Sequence, residues 1–241
     1  MSDLIKFSKM LKEAENIVFF GGAGVSTESG IPDFRSVDGL YNQKYKYPPE
    51  TILSHRFYKS KPEEFYEFYR NKMLALEAKP NKGHTALAKL EEMGKLKAII
   101  TQNIDGLHQK AGSKVVYELH GSVYDNYCEV CGREYSADFI KNSKGVPKCE
   151  CGEIIKSGIV LYDEILDNTL VDNSIQAIRN ADMLIVAGTS LSVYPAASMV
   201  EYYFGNKLVL INKSSTKYDS FANLIIRESF GETMDKVLKL L

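Results

Sequence analysis

Polar residues that could hold a substrate and move a proton lie at the ends of two predicted strands. Gln102, Asn103 and Asp105 directly follow an apolar run at 97–100, which is typical of a buried strand. His120 follows a second, shorter apolar segment. Because open α/β sheets bind ligands outside the carboxyl ends of their strands, this pattern predicts a histidine base that faces a fixed polar cradle.

A glycine-rich turn follows another predicted strand, at 16–20. The turn runs from Gly21 to Gly30, lets the backbone approach a ligand closely and is predicted to open a helix, whose N-terminus favours a pyrophosphate. The strict G-x-G-x-x-G fingerprint is not met, because Thr27 stands in place of the third glycine. An ordinary glycine-rich strand-helix turn therefore remains an equally good interpretation of this motif alone.

The cysteines form the strongest single motif. Cys128 and Cys131 make a Cys-x2-Cys pair, and Cys149 and Cys151 make a Cys-x-Cys pair. In a reducing compartment this spacing favours a metal over disulfides. Four thiolates would fill a tetrahedral zinc shell and leave no position for water or substrate, so we predict one structural zinc in a small ribbon.

Composition limits the possible classes of protein. The 241 residues, 44% of them hydrophobic, are enough for one large domain or for a domain with an inserted module. The 30 Lys+Arg nearly balance the 31 Asp+Glu, so we expect no direct nucleic-acid binding. The first residues lack a signal pattern, and no apolar run approaches the roughly 18 residues that span a bilayer. We therefore expect a cytoplasmic protein without membrane contact.

Two further regions contribute candidate ligand contacts. Predicted strands at 183–187 and 207–211 end in small polar residues, which would suit the adenosine half of a dinucleotide or be plain solvated turns. The segment at 32–79, rich in tyrosine, phenylalanine and proline, is too long for a plain α/β loop and is predicted to be a lid with small helices. The lone histidines outside His120 are expected to be structural. They are His55, His84 and His108.

Taken together and in order, these motifs resemble the sirtuins, the NAD-dependent protein deacylases. The resemblance covers nearly the whole chain. Its motifs are Gly22–Ser26, Gly30–Arg35, Thr101–His108, Leu119–Gly121, the two cysteine pairs, Gly188–Pro195 and Ile211–Asn212. This sequence departs from the usual sirtuin spacing at Cys149-x-Cys151, where Cys-x2-Cys is commoner.

The resemblance implies a fold and its organisation. The fold would be α/β, a Rossmann-like doubly wound parallel sheet with an inserted helical lid and a small zinc-ribbon module. All of this would form a single catalytic domain. Its parts would be a Rossmann-like core at about 1–31, 80–121 and 159–241, a lid at about 32–79 and a zinc module at about 122–158.

The resemblance also implies an activity. The protein would be an NAD-dependent protein-lysine deacetylase acting on acetylated proteins or peptides. It would transfer the acetyl group of acetyl-lysine to ADP-ribose and release nicotinamide and O-acetyl-ADP-ribose. His120 would be the general base, Asn103 would hold the ribose or a water, NAD would be the co-substrate, and the zinc would take no part in the reaction.

Roles in binding NAD are carried over to the glycine turn, the lid and the strand ends. The residues are Gly22, Ala23, Gly24, Ser26, Thr27, Asp33, Phe34, Arg35, Gln102, Asn103, Ile104, Asp105, Gly188, Thr189, Ser190, Asn212, Lys213 and Phe230.

Roles in binding the acylated peptide are carried over to two segments. Val160, Leu161, Tyr162 and Asp163 would pair with the peptide as an added strand, although a plain connecting strand is the alternative. Tyr162-Asp163 stands where sirtuins usually have Phe-Gly. We interpret the added carboxylate as a group that favours basic residues beside the acyl-lysine. The positions of the Tyr-x-x-Arg motif, which selects acidic acyl groups, are matched to Tyr66 and Tyr69.

Three other functions remain open at this point. Mono-ADP-ribosyl transfer and the removal of non-acetyl acyl groups would use the same NAD cleavage. A non-catalytic NAD- and zinc-binding module belongs to another class, and His120 and Asn103 argue against it because a pure binder needs neither. A dehydrogenase is disfavoured because the strict dinucleotide fingerprint is absent.

Overall fold

The computed structural model describes residues 2–241, which form two β-sheets surrounded by helices. The strands are β1 (Ile17–Gly21), β2 (Leu96–Thr101), β3 (Val116–Glu118), β4 (Asn126–Cys128), β5 (Glu134–Tyr135), β6 (Ile155–Lys156), β7 (Met183–Ala187), β8 (Leu208–Ile211) and β9 (Leu224–Ile226). The helices are α1 (Asp3–Glu13), α2 (Pro49–Ile52), α3 (His55–Ser60), α4 (Pro62–Phe68), α5 (Lys82–Glu92), α6 (Leu107–Lys110), α7 (Ala137–Asn142), α8 (Asn168–Asn180) and α9 (Phe230–Leu238).

Within residues 2–241, the larger sheet has six strands in the order β3-β2-β1-β7-β8-β9, all parallel to their neighbours. The direction of winding reverses between β1 and β7, where Gly21 pairs with Ala187. This is the topology of a Rossmann-like doubly wound sheet, so the predicted fold class is confirmed. In such sheets the crevice beyond the carboxyl ends of the two strands at the reversal is the ligand site.

Both faces of this sheet are covered, which explains why its strands are continuous apolar runs. Along β1, Ile17 and Phe19 belong to one hydrophobic cluster, and Val18 and Phe20 belong to the cluster on the opposite face. The first cluster contains residues of α1, α5 and α9, and the second contains Ile178 of α8. β1 therefore lies at the centre of the molecule and fixes the position of the glycine turn that follows it.

A third hydrophobic cluster lies outside the sheet. It joins Tyr58 and Phe65 of the helical segment to Ile140 and Ile155 of the cysteine-containing segment. The smaller sheet, in the antiparallel order β5-β4-β6, belongs to this second segment. The segments predicted as a lid and as a zinc module therefore share one core. In residues 2–241 no helix is long and apolar enough to cross a membrane.

Candidate active site

A cavity of about 800 Å³ opens where the winding of the sheet reverses. The residues after β1, β2, β7 and β8 line it, and the segments at 31–41 and 159–166 complete its walls. Nearly every residue that the sequence predicted for the site lies on this cavity. These residues are Gly22, Ala23, Gly24, Ser26, Thr27, Asp33, Phe34, Arg35, Gln102, Asn103, Ile104, Asp105, His120, Val160, Leu161, Tyr162, Asp163, Gly188, Thr189, Ser190, Asn212, Lys213 and Phe230.

The glycine turn packs directly on the end of β7. A Cβ atom on Gly24 would lie 2.7 Å from the Cα of Gly188, closer than side-chain atoms approach, so only glycine fits there. The predicted α-helix after the turn was wrong: two short 3-10 turns, Ala23–Val25 and Thr27–Ser29, take its place. Gly30 has a φ of 82°, which ends the second 3-10 turn, and Pro32 lacks the amide that a longer helix would need.

Glu28 anchors this turn to the last helix. Its carboxylate accepts hydrogen bonds from the Gly231 amide at 2.6 Å and from the Glu232 amide at 3.2 Å. Both amides belong to the first turn of α9, where such donors lack partners within the helix. The glycine turn and α9 therefore hold each other in place.

Hydrogen bonds between side chains tie the polar residues after β1, β2 and β7 together. Asn103 Nδ2 donates to Ser26 Oγ at 3.0 Å, and the Ser26 hydroxyl donates to Asp105 Oδ2 at 2.6 Å. Gln102 Nε2 donates to Thr189 Oγ1 at 3.0 Å. Three strand ends thus form one rigid cradle, as the strand-end argument predicted.

His120 is held with one ring nitrogen available to a ligand. Its Nδ1 lies 3.0 Å from the carbonyl oxygen of Gln102, and a carbonyl can only accept, so Nδ1 carries the proton. Nε2 is therefore the unprotonated nitrogen. Burial lowers the pKa of His120 below 6.5, and the bond to Gln102 opposes this shift. Neutral imidazole with a free Nε2 is the form that a general base requires.

The lid is ordered by Asp33 and by a pair of tyrosines. Asp33 Oδ1 accepts from the Arg35 amide at 2.9 Å and from the Ser36 amide at 2.7 Å, so it bonds to the lid backbone. The guanidinium of Arg35 lies 5.4 Å from the centre of the Tyr41 ring. The Tyr41 and Tyr162 hydroxyls are 2.8 Å apart and join the lid to the opposite wall of the cavity.

The segment with the Tyr-Asp replacement forms that opposite wall. The Val160 amide donates to the His120 carbonyl at 2.8 Å, and Tyr162 exchanges backbone hydrogen bonds of 2.9 Å with Leu53 and His55. One edge of the segment is therefore already paired. Glu164, just beyond it, contacts His55 Nδ1 at 2.8 Å and buried Lys156 Nζ at 3.2 Å. His55 is thus a structural partner of Glu164.

Tyr66 and Tyr69, predicted to contact the acyl group, do not lie on the cavity. Both are fully buried in the third hydrophobic cluster, and the Tyr66 hydroxyl donates to the Ile155 carbonyl. The five residues Tyr69–Met73, which follow α4, form a π-helical turn. Lys72 and Met73 line the cavity instead, and Lys72 Nζ donates to Gln43 Oε1 at 3.0 Å.

The remaining histidines are buried structural residues, as expected. His84 and His108 have ring centres 4.8 Å apart, and burial lowers their pKa values to about 4 and about 3, so both are neutral. His84 Nδ1 accepts from the Asn81 amide at 3.2 Å and completes a capping box at the start of α5.

The four cysteine sulfurs cluster as zinc ligands do. All Sγ atoms lie within 4.8 Å of one another, with Cys128–Cys151 and Cys131–Cys149 separations of 3.5 Å. Zn–S bonds of about 2.3 Å in a tetrahedron place sulfurs about 3.8 Å apart, so the donor set fits this ion. The Gly132 and Gly152 amides donate at 2.9 Å to the Cys128 and Cys149 carbonyls and form one tight turn beside each pair. The Cys-x-Cys spacing therefore still closes a four-sulfur site.

Comparisons with known proteins agree with this geometry. The Sir2 family model matches residues 22–195, which include the glycine turn, the cradle, His120 and all four cysteines. An NAD-dependent protein deacetylase of Clostridium acetobutylicum is 57% identical over 97% of both chains, and one of Clostridium perfringens is 58% identical over 99% of this chain and 100% of its own. The chain belongs to the Sir2 family.

Solved Sir2 structures share the fold over the whole chain. A Sir2 protein with a deacetylated p53 peptide and 3'-O-acetyl ADP ribose has a TM-score of 0.91 and 40% identity, with 98% of each chain covered. Another, with a p53 peptide and NAD+, has a TM-score of 0.88 and 41% identity, with 100% of this chain and 98% of that chain covered.

Some cavity residues of this Sir2 chain were not found from the sequence. Ser214, Ser215 and Thr216 follow Asn212-Lys213 at the end of β8, and the strand-end argument could have included them. Leu53 and Tyr41 come from the helical segment and the lid, whose positions depend on tertiary packing. No short motif marks either residue.

Proposed function

We propose that the protein is an NAD-dependent protein-lysine deacetylase, which transfers the acetyl group of acetyl-lysine to ADP-ribose and releases nicotinamide and O-acetyl-ADP-ribose. The observation that carries this proposal is the position of His120. A neutral imidazole with unprotonated Nε2 lies on the same cavity as a glycine turn suited to a dinucleotide. The similarity to proteins named NAD-dependent protein deacetylases supports the same activity.

In this proposal the residues around the reversal of the sheet bind NAD. The turn at Gly22–Ser26 and the hydroxyls of Thr189 and Ser190 lie at the strand ends where a pyrophosphate binds in such folds. Asn212 fixes the neighbouring loop, because its Oδ1 accepts from the Thr189 amide at 3.1 Å and its Nδ2 donates to the Thr189 carbonyl at 2.8 Å. Phe34, Ile104 and Asp105 would surround the nicotinamide.

The residues of the chain that would take part in the reaction are His120, Gln102 and Asn103. Bound NAD would supply an electrophilic ribose carbon, from which the acetyl oxygen would displace nicotinamide. Attack of a ribose hydroxyl on the acetyl carbon and addition of one water would then release lysine and O-acetyl-ADP-ribose. His120 Nε2 would take a proton from a ribose hydroxyl, and the Gln102 carbonyl would stabilise the charged imidazole through Nδ1. Asn103, 8% exposed and bonded to Ser26, would hold the ribose or a water.

The acetylated peptide would bind against the wall formed by Val160 to Asp163. Apolar and aromatic side chains of Phe34, Ile104, Val160 and Tyr162 line the cavity there and suit an uncharged acetyl-lysine. The zinc would stay outside the reaction, because the cysteines do not line the cavity described in residues 2–241. We further propose that the protein works in the cytoplasm, because its four cysteines form no disulfide and suit reducing conditions, and that it does not bind nucleic acid directly.

Mass spectrometry tests the activity directly. An acetylated peptide incubated with the protein and NAD is expected to lose its acetyl group and to yield nicotinamide and O-acetyl-ADP-ribose, and a reaction without NAD should leave it intact. Transfer of label from the adenine part of NAD to protein, without deacetylation, would instead identify an ADP-ribosyltransferase.

The pH dependence should report the state of His120. Because burial lowers its pKa below 6.5 and the base acts when neutral, kcat/KM should exceed half of its maximum at pH 6.5 and reach the maximum at higher pH. Activity should fall in more acidic buffers as Nε2 becomes protonated. A kcat/KM profile, with circular dichroism at each pH to exclude unfolding, measures this. An acid limb with its midpoint above 6.5 would contradict the assignment.

Acyl choice should favour acetyl-lysine over succinyl-lysine. Lys72 is a cation that lines the cavity, but its ammonium is hydrated and already bonded to Gln43, so it should hold a distal carboxylate poorly. We expect roughly tenfold higher kcat/KM for an acetylated than for a succinylated peptide of identical sequence, the difference that one strong charged hydrogen bond makes.

Variants at Lys72 provide the matched comparison. Lys72→Arg should narrow the gap because a guanidinium fork binds a carboxylate bidentately, and Lys72→Met should widen it. Tyr69→Arg, which the sequence alone would suggest, would instead bury a charge in the third hydrophobic cluster. Equal or better desuccinylation by the unmodified protein would show that Lys72 already does the work of an arginine.

A further inference from the structure

Asp163 adopts a backbone conformation that glycine adopts far more easily. Its φ is 72°, and the Glu164 amide donates to the Leu161 carbonyl at 3.0 Å across a tight turn. Asp163 holds the third position of that turn, where a positive φ is required and glycine is preferred. Backbone geometry alone does not explain why an aspartate rather than a glycine occupies this position.

The Asp163 side chain does not stabilise the turn. Within residues 2–241 its carboxylate makes no hydrogen bond and no ion pair, and it is exposed on the wall of the cavity. The neighbouring carboxylate behaves in the opposite way. Glu164 accepts from the Leu161 amide at 2.8 Å and contacts both His55 and Lys156, so its side chain helps to fix the segment. The carboxylate of Asp163 therefore has no partner in the described chain.

The backbone polar groups of Asp163 differ from those of its neighbours. Tyr162 uses its amide and carbonyl to pair with Leu53 and His55, and Leu161 uses its amide and carbonyl to bond to Glu164. In the part of the chain that the structure describes, neither the amide nor the carbonyl of Asp163 has a hydrogen-bond partner. An extended peptide that forms hydrogen bonds with these two groups would place a side chain beside the Asp163 carboxylate.

The cations that line the cavity near the lid already have partners. Of the two cavity cations nearest the lid, Lys72 is bonded to Gln43 and Arg35 lies over the Tyr41 ring. The free charge at the peptide wall is thus negative.

We propose that Asp163 is a specificity-determining residue, which selects substrates with a lysine or arginine close to the acetyl-lysine. This inference rests on the proposed deacetylase function and names its substrate class. A carboxylate only accepts hydrogen bonds, so an ammonium or guanidinium is its natural partner. The pair would be partly exposed, and its effect should be a difference of about twofold to fivefold that weakens with salt.

Matched peptides test this inference. A peptide with one acetyl-lysine carries Lys, Ala or Glu at one flanking position at a time, and kcat/KM is measured at low and at high salt. The readout is the ratio of the Lys peptide to the Glu peptide within each protein. At one or more positions the unmodified protein should prefer Lys by about twofold to fivefold at low salt.

Three variants separate charge from backbone effects. Asp163→Asn keeps the size and the tolerance of positive φ and should reduce the ratio to about one, whereas Asp163→Lys should invert it. Asp172→Asn removes the same charge from α8, outside the cavity, and should keep the ratio of the unmodified protein. A ratio of one in the unmodified protein, or a preference for Lys that survives in Asp163→Asn, would overturn the proposal.

Fluorescence anisotropy, which measures the binding of the same peptides, separates a failure of the deacetylase function from a failure of the charge preference. If no peptide loses its acetyl group, the deacetylase function fails, and the charge preference is decided from the dissociation constants. Tighter binding of Lys than of Glu peptides that disappears in Asp163→Asn would support the selecting role of Asp163. Equal binding would reject it.

Discussion

His120→Ala is expected to abolish NAD-dependent deacetylation while the protein stays folded and still binds acetylated peptide. A positioned general base contributes about a hundredfold to ten-thousandfold to a rate, and in the described chain no other histidine lines the cavity. The fold should persist because the His120 side chain makes one hydrogen bond, to Gln102, and the backbone bond from Val160 to its carbonyl remains. Steady-state kinetics, thermal unfolding and peptide anisotropy measure the three properties.

Rescue with imidazole distinguishes a base from a structural residue. The alanine variant leaves a space of the size of the lost ring beside the Gln102 carbonyl, so added imidazole should restore part of kcat with little effect on the melting temperature. Near-normal turnover by the variant without imidazole would remove His120 from the mechanism.

Removal of the zinc should cost both the cysteine module and the activity. We expect one zinc per chain, held by the four clustered thiolates, because such closed sites supply folding free energy outright. The third hydrophobic cluster joins this module to the helical segment beside the lid, so unfolding would spread toward the cavity although the metal does not touch the substrate. Chelation and Cys149→Ser should each reduce zinc content, near-ultraviolet circular dichroism and kcat/KM together.

The matched control lies between two of the ligands. Val130, 71% exposed, separates Cys128 from Cys131 without belonging to the ligand set, so Val130→Ser should keep zinc and activity. Elemental analysis that finds no zinc in pure, active protein would defeat the prediction.

The sheet and the cradle could be predicted because local sequence determines them. Buried parallel strands are continuous apolar runs, and the rule that ligands bind beyond strand ends placed Gln102, Asn103 and His120 together without knowledge of the fold. The four cysteines were equally predictable because two closely spaced cysteine pairs are typical of structural zinc sites.

The contacts of the helical segment could not be predicted in the same way. A regular helix places residues three or four positions apart on one face, so Tyr66 and Tyr69 were natural candidates. That face packs into the third hydrophobic cluster, and Lys72, within the π-helical turn at Tyr69–Met73, lines the cavity instead. The prediction of a helix after β1 was wrong because Gly30 and Pro32 end the helical turns early, before a longer helix can form.

The bond between Glu28 and the Gly231 amide spans 203 residues of sequence. On the ribosome the glycine turn is synthesised long before the helix that holds it, because the N-terminus of a chain is made first and synthesis adds about 5–20 residues per second. The turn must therefore wait, for roughly ten seconds or more at such rates, without its anchor. A nascent chain would acquire affinity for NAD only after α9 has emerged and docked, so dinucleotide binding would mark the completion of folding rather than nucleate it.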